Sequence, residues 1–458
     1  MTPCIFKGAG LLLYSKKLRA RLLGSTALFA GAFMLAAGGT ASAELVAEPC
    51  DGGPASAGGS ITCSGDHTYA MISNFDDLTV TLNADANVSY IGGPVIQFYG
   101  ASNDLILKES SNLISFDAYS AVVLGDEDGT VTLNGGASIT LYGYGGSGLN
   151  KTVEAGGKGS AITLNGGSSI VFVGAGGERK YASGTAVALD GENASLVLNG
   201  GSSVDVTGGS TYGSAPYAYN KYTGVRAVNI SQTILLNGGS TVNLTGTGDG
   251  YGRYIGIDAQ GGYAKYADEA GSITLNGGSS VNVSTPGGSY NTVTGVAVGY
   301  GGRKKARVRR GGGYASSLTL NGSSSINVGD ADGGLDVGRR VMGRENKYIG
   351  ASFGGHDGVL TLNDTSSINV TPAPGSASGI GIDVNAQNSE VTLNGSSSVS
   401  VSGEASYAAY GIRLYGGANV VTLNGTSSVQ ANGSGGYVAA VSMRGYYNDL
   451  VLNDESLV

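Results

Sequence analysis

VTLNGSSSVSV, residues 391–401, contains no acid, base or metal ligand. Its apolar residues alternate. Val391 and Leu393 share one face with Thr392 opposite, and Val399 and Val401 share one face with Ser400 opposite. A period of two predicts strands, here of only three to five residues each. The intervening LNG reads as a turn, because Asn and Gly tolerate left-handed backbone angles.

Relatives of this phrase recur down the chain. Their leucines are Leu82, Leu107, Leu133, Leu164, Leu198, Leu236, Leu275, Leu320, Leu362, Leu393, Leu423 and Leu452, at spacings of 25 to 45 residues. Asn follows in eleven of the twelve: Asn83, Asn134, Asn165, Asn199, Asn237, Asn276, Asn321, Asn363, Asn394, Asn424 and Asn453; Lys108 follows in the other. A drifting period of this size marks stacked supersecondary units. A third short apolar stretch precedes most copies: TAVAL (185–189), GVRAV (224–228), IGIDA (255–259), GVAVG (295–299), GIGID (379–383) and GIRLY (411–415). Three strands and three corners make one turn of a coil.

One coil cannot bury its apolar face, but a stack of coils can. Strands of successive coils then pair in parallel, about 4.8 Å apart. The fold class expected is all-β: a right-handed parallel β-helix of about twelve three-stranded coils, a rod ~55 Å long. Units of 25 to 31 residues are too short for the four-stranded blades of a β-propeller. The stack predicts a hydrogen-bonded asparagine ladder at the LNG corner. It also predicts small serines where the interior narrows, and a row of outward threonines on one sheet.

Composition agrees with a folded repeat. The 458 residues include 82 Gly, which alone would suggest disorder, yet 41% are hydrophobic and grouped in recurring Val/Ile/Leu runs. At the N-terminus, Lys16, Lys17, Arg19 and Arg21 precede an apolar run over residues 22–39, followed by ASA ending at Ala43. This reads as an export signal over 1–43, cleaved after Ala43; the alternative is an uncleaved anchor, for which the run is marginal in length. Removing 1–43 takes away five basic residues and no acid, moving the formal net charge from −8 to −13. So acidic a body argues against general nucleic-acid binding. No other stretch reads as a membrane span. Residues 44–75 are expected to form an N-terminal cap segment holding Cys50 and Cys63, which in an exported chain read as a disulfide rather than two free thiols. The β-helix is expected over 76–458.

Length changes never fall at LNG; the other two corners absorb them, most heavily over residues 200–360. The rod is therefore expected to have one smooth edge and two decorated ones. The insertions are rich in Tyr and Gly, and Tyr212, Tyr217, Tyr219, Tyr222, Tyr251, Tyr254, Tyr263 and Tyr266 are candidates for a binding surface or for wall packing. RKKARVRR, residues 303–310, places Arg303, Lys304, Lys305, Arg307, Arg309 and Arg310 together. It reads as an anion-binding loop or as a solvated tip.

No catalytic, metal or cofactor set is visible. Polysaccharide-active β-helices need clustered carboxylates on a sheet face. Here Asp205, Asp258 and Asp383 read as scattered singletons, and His67 and His356 are far apart. The expectation is a protein that is not an enzyme.

An export signal followed by tandem LTLNGSSSINV-type coils (318–328) resembles the passenger region of bacterial autotransporters, the single-chain branch of type V secretion. The resemblance implies export through the periplasm to the bacterial cell surface or beyond. Passengers without a protease or lipase domain act most often as adhesins or self-association factors, so the partners implied are host or bacterial surface molecules, glycan or protein, or copies of the chain. A stalk without binding of its own is the alternative, and a polysaccharide lyase or hydrolase a more distant one. The family's C-terminal membrane barrel is not found before the chain stops at DLVLNDESLV (449–458), part-way through a coil. Truncation is the expected reason.

Overall fold

The computed structural model describes residue 50 and residues 56–458, apart from 144–149, 175–180, 210–218, 230, 248–250, 260–270, 286–290, 300–315, 331–345, 374–377, 404, 406 and 435. Its strands form three parallel sheets. The first sheet has 13 strands, from Ser60–Cys63 to Asp449–Leu452; the second and third have 12 each, ending at Ser428–Ala431 and Tyr437–Arg444. Hydrogen-bonded neighbours are always three strands apart in chain order, so each coil contributes one strand to every sheet. This is the three-stranded parallel β-helix that the period and alternation predict.

The inward row of the first sheet is nearly all leucine. Leu82, Leu107, Leu133, Leu164, Leu198, Leu236, Leu275, Leu320, Leu362, Leu393 and Leu423 are fully buried, each contributing about 1.5–3 kcal/mol of burial. Between them the outward threonines Thr132 and Thr163 pair side by side, as do Thr274, Thr319, Thr361, Thr392 and Thr422. The expected small residues line the narrow corner: Ser168, Ser202, Ser240, Ser279 and Ser324 are buried. Each donates its hydroxyl to the carbonyl of the Asn three residues earlier, at 2.7 Å. A buried hydroxyl needs such a partner, and the turn supplies it.

Three sequence expectations change. First, the coils begin at Ser60, not at residue 76. Ser60–Cys63 pairs with Thr79–Leu82 in register, Cys63 opposite Leu82. Cys63 occupies the leucine position, fully buried, and Ser64 stands where Asn is usual. A half-cystine is apolar enough to fill that place, which is why a search for leucines finds twelve copies and the structure thirteen. Cys63 is disulfide-bonded to Cys50, as the export reading expects. Second, strands of the third sheet reach ten residues, as in Lys347–His356 and Ser378–Gln387, against the three to five expected. Third, Tyr222 and Tyr254 are not on a decorated edge. They lie fully inside the coil stack with Tyr348, stacked on each other with ring centroids 6.0 Å apart. The longer strands explain it: they extend back past Gly224 and Gly256, where the alternation slips by one residue, so that both rings turn inward.

Candidate binding groove on the third sheet

The asparagine ladder forms at the first corner. From Asn165 to Asn453 each side-chain Nδ2 donates to Oδ1 of the preceding copy, the first acceptor being Asn134, at 2.7–3.0 Å. Before it, Asn83 donates to Ser64 Oγ at 2.8 Å, and Lys108 Nζ donates to Asn83 Oδ1 at 3.2 Å. An ammonium has no acceptor to pass on, so Lys108 interrupts the row. A second row, unread in the sequence, runs along the second sheet. Asn243 donates to Asp205, Asn282 to Asn243, Asn327 to Asn282 and Asn369 to Asn327, at 2.8–3.0 Å. Asp205 is thus the first acceptor of a row. Both rows tie coils together.

The third sheet is different, because its strands bend. In Tyr219–Ala227, Tyr222 points inward and Thr223 outward, but Gly224 and Val225 are both buried against the core before Arg226 turns out. The same break recurs at Gly256, Gly295, Gly350, Gly381 and Gly411. At Gly256 the backbone presses on the second sheet: a Cβ would sit 2.5 Å from Val281 Cγ1 and 2.6 Å from the Gly295 carbonyl oxygen. Only glycine fits.

Side-chain pairing shows which way the strand folds. Arg253 and Asp258 are five residues apart on one strand, about 17 Å if it were straight, yet Nη2 and Oδ2 are 4.0 Å apart. Lys347 pairs in register with Ser378, five residues before Asp383, yet its Nζ is 2.9 Å from Asp383 Oδ2. The outer face is therefore concave, a groove with charged walls. Its floor is apolar: Ile349, Ile380, Ala408 and Tyr410 form a buried cluster separate from the main core, and Ile255 is buried in the same row.

Acids and bases pair along the groove. Asp190 accepts from Lys151 and, through both oxygens, from Arg226. Lys151 also pairs with Glu154. Asp383 accepts from Lys347 Nζ at 2.9 Å and from Arg413 Nε and Nη2 at 3.0 and 2.8 Å. Burial alone would raise the Asp383 carboxyl, but the Lys347 charge and the two Arg413 bonds outweigh it and hold it below the usual carboxylate range. A carboxylate clamped as an anion is no proton shuttle near neutral pH; here it fixes two cations in place. At Lys221, burial pushes the ammonium down, assisted by Arg253 and Arg226 and opposed by Asp258.

Near Asp383 the groove widens into a cleft of about 320 Å³. Its lining combines Lys347, Arg413 and Arg444 with the rings of Tyr407, Tyr410, Tyr415 and Tyr437; Ser378 and Ala408 complete it. The Arg413 guanidinium lies 4.8 Å from the Tyr415 ring centroid and 5.4 Å from that of Tyr410, and Arg444 lies 5.8 Å from Tyr415. Tyr407 and Tyr437 meet edge to face at 5.8 Å and are each about half exposed.

Few of the candidate residues read from the sequence sit here. Tyr219 and Tyr251 pair with each other in third-sheet strands. Tyr212, Tyr217, Tyr263, Tyr266, the basic run Arg303, Lys304, Lys305, Arg307, Arg309 and Arg310, and Ala43 lie outside the described residues. His67 Nε2 donates to the Ser64 carbonyl at 2.9 Å, and its ring meets Tyr69 edge to face. Asp258 and Asp383, read as singletons, are the buried acids of the groove. Among the described residues no group of three or more His, Cys, Asp or Glu could hold a metal ion. No family model, curated protein or solved structure matches the chain.

Proposed function

We propose that this chain is a surface-displayed or secreted, non-enzymatic β-helical passenger, an adhesin or cell–cell self-association factor that holds host or bacterial surface molecules. The observation that carries this reading is the groove. One face of an otherwise uniform stack is concave and lined by cations and half-exposed tyrosines, a chemistry suited to recognition. The acids in it are engaged by basic partners rather than poised for proton transfer. Weak contacts repeated along a stack of coils add by multivalency. The resemblance to autotransporter passengers agrees with display outside the cell.

Beads carrying the full chain test the reading. They are expected to bind host cells or matrix, or to clump. Replacing 210–218, 300–315 and 331–345 with short Gly-Ser linkers, and Lys347 and Arg413 with Ala, separates those insertions from the groove. Adhesion unchanged by both replacements would favour a passive stalk. Turnover of pectin-like or alginate-like polymers by the intact chain would favour an enzyme.

A further inference from the structure

We infer that Lys221 and Arg226, facing each other across the groove in the middle coils, bind a tetrahedral oxyanion: a sulfate or phosphate monoester carried by a sugar. The inference deepens the binding reading above and rests on it.

The bend decides which side chains meet. On a bent strand the residue three before the glycine faces the residue two after it, as Arg253 and Asp258 do about Gly256, 4.0 Å apart. The register carries that relation from coil to coil. The later facing pairs are Thr292 with Ala297, Lys347 with Ser352, Ser378 with Asp383, and Ala408 with Arg413. Each contains a neutral residue, and Arg253 with Asp258 is of opposite charge. At Gly224 the pair is Lys221 with Arg226, and both are cations. From Gly224 to Gly411 it is the one facing pair of like charge among the described residues. Two cations so placed repel, and an anion between them turns the repulsion into attraction.

The surrounding acids are committed elsewhere. The preceding coil sets Ser183 and Ala188 in register with the pair, and neither is charged. Asp190 accepts from Arg226 Nη2 through both oxygens and from Lys151. Arg226 Nε, on the same guanidinium, is buried without a hydrogen-bond partner. Lys221 makes no ion pair among the described residues. Burial disfavours its charge most; Asp258 opposes this, and Arg253 and Arg226 add to it. The free donors also select the shape of the anion. Nε and Nη2 together would close on a planar carboxylate, but Nη2 is spent on Asp190. One Nε–H remains on one wall and a rotatable ammonium on the other. A tetrahedral ester has three terminal oxygens aimed in different directions, so it can meet both walls at once. Thr223 and Ile255, buried on the floor, keep that contact away from bulk water, where charge counts for more. A phosphopeptide would dock through exposed backbone donors and acceptors, and Tyr219–Ala227 spends its own on the coils before and after it. A sugar brings its own hydroxyls.

Calorimetric titration of the full chain tests this with five probes: glucose 6-sulfate, glucose 6-phosphate, glucuronate, glucose and a phosphoserine tripeptide. At least one sugar ester is expected to bind about tenfold more tightly than glucuronate, glucose or the peptide, and which one does so tells a sulfate source from a phosphate source. Lys221→Met should weaken that binding about tenfold, whereas Lys158→Met, at an exposed turn outside the groove, should not change it. Urea unfolding supplies a second readout. Lys221→Met without ligand should keep or raise the midpoint, because it relieves the repulsion, and the ester should raise the midpoint of wild type but not of the variant. Glucuronate or the peptide bound as tightly as the esters, binding of neither ester, indifference to Lys221→Met, or a lowered midpoint in that variant would overturn the inference. Adhesion by beads whose chain ignores both esters would overturn it and leave the binding reading intact; ester binding without adhesion would do the reverse.

Discussion

At the first corner, from the coil of Leu82 to that of Leu423, the same four-residue link repeats, and from Asn165 onward the same amide donates to the same oxygen. On the third sheet, the outward position after the bend changes with each coil: Glu154, Ala188, Arg226, Asp258, Ala297, Ser352, Asp383, Arg413. The backbone pairs in register from coil to coil in both places, without a gap on the first sheet and with one residue skipped at the bend on the third. Uniform residues make a corner that holds the stack together and offers nothing else. Varied residues on a bent face make a surface with local character. The lesson is that repetition of the frame frees one face to differ from coil to coil.

Three measurements can break or sharpen that contrast. The largest effect should come from treating two tyrosines alike. Tyr254→Ala empties space inside the stack and is expected to cost about 3–5 kcal/mol, whereas Tyr437→Ala at the cleft mouth should stay within about 0.5 kcal/mol. Urea unfolding of both variants decides, and equal losses would erase the distinction between frame and face.

Next comes Asp383→Ala, expected to cost about 2–3 kcal/mol, less than the ~3–5 of a fully buried pair because the Lys347 head is 34% exposed. The folded carboxyl has a lowered pKa, so its contribution is present above the unfolded value near ~4 and disappears as pH falls through the lower folded value. Unfolding midpoints of wild type and variant should therefore converge in acid; a gap that persists at pH 2 would show that the clamp is not electrostatic.

The smallest effect belongs to the repeated corner. Asn276→Ala removes one donor to Asn237 and one acceptor from Asn321, both partly buried. The expected loss is about 1–2 kcal/mol, with amide exchange quickening at that corner and not on the third sheet.

Much of the frame was legible before any coordinates. Period-two alternation, the LNG corner and the third apolar stretch give the three sheets, the inward leucines and the ladder. The coil at Cys63 escaped because Cys and Ser replace the residues that define a copy. The bend escaped although its signal was present: GVRAV, GVAVG and GIRLY all begin with glycine, and the Lys-Tyr-Thr ahead of Gly224 reads as loop rather than strand. The groove was harder still. Asp383 draws its partners from 36 residues upstream and 30 downstream, so only the register, with its five-residue offset across a bend, brings them together. Chain-wise scanning treats each as alone.

The corner amides also have a sense of direction. Every link points the same way, from a later coil to an earlier one, so NH2 groups face one end of the row and carbonyls the other. A coil laid down back to front would set like poles against each other. The row thus works as a keyed thread, accepting the next layer in one orientation and refusing its mirror.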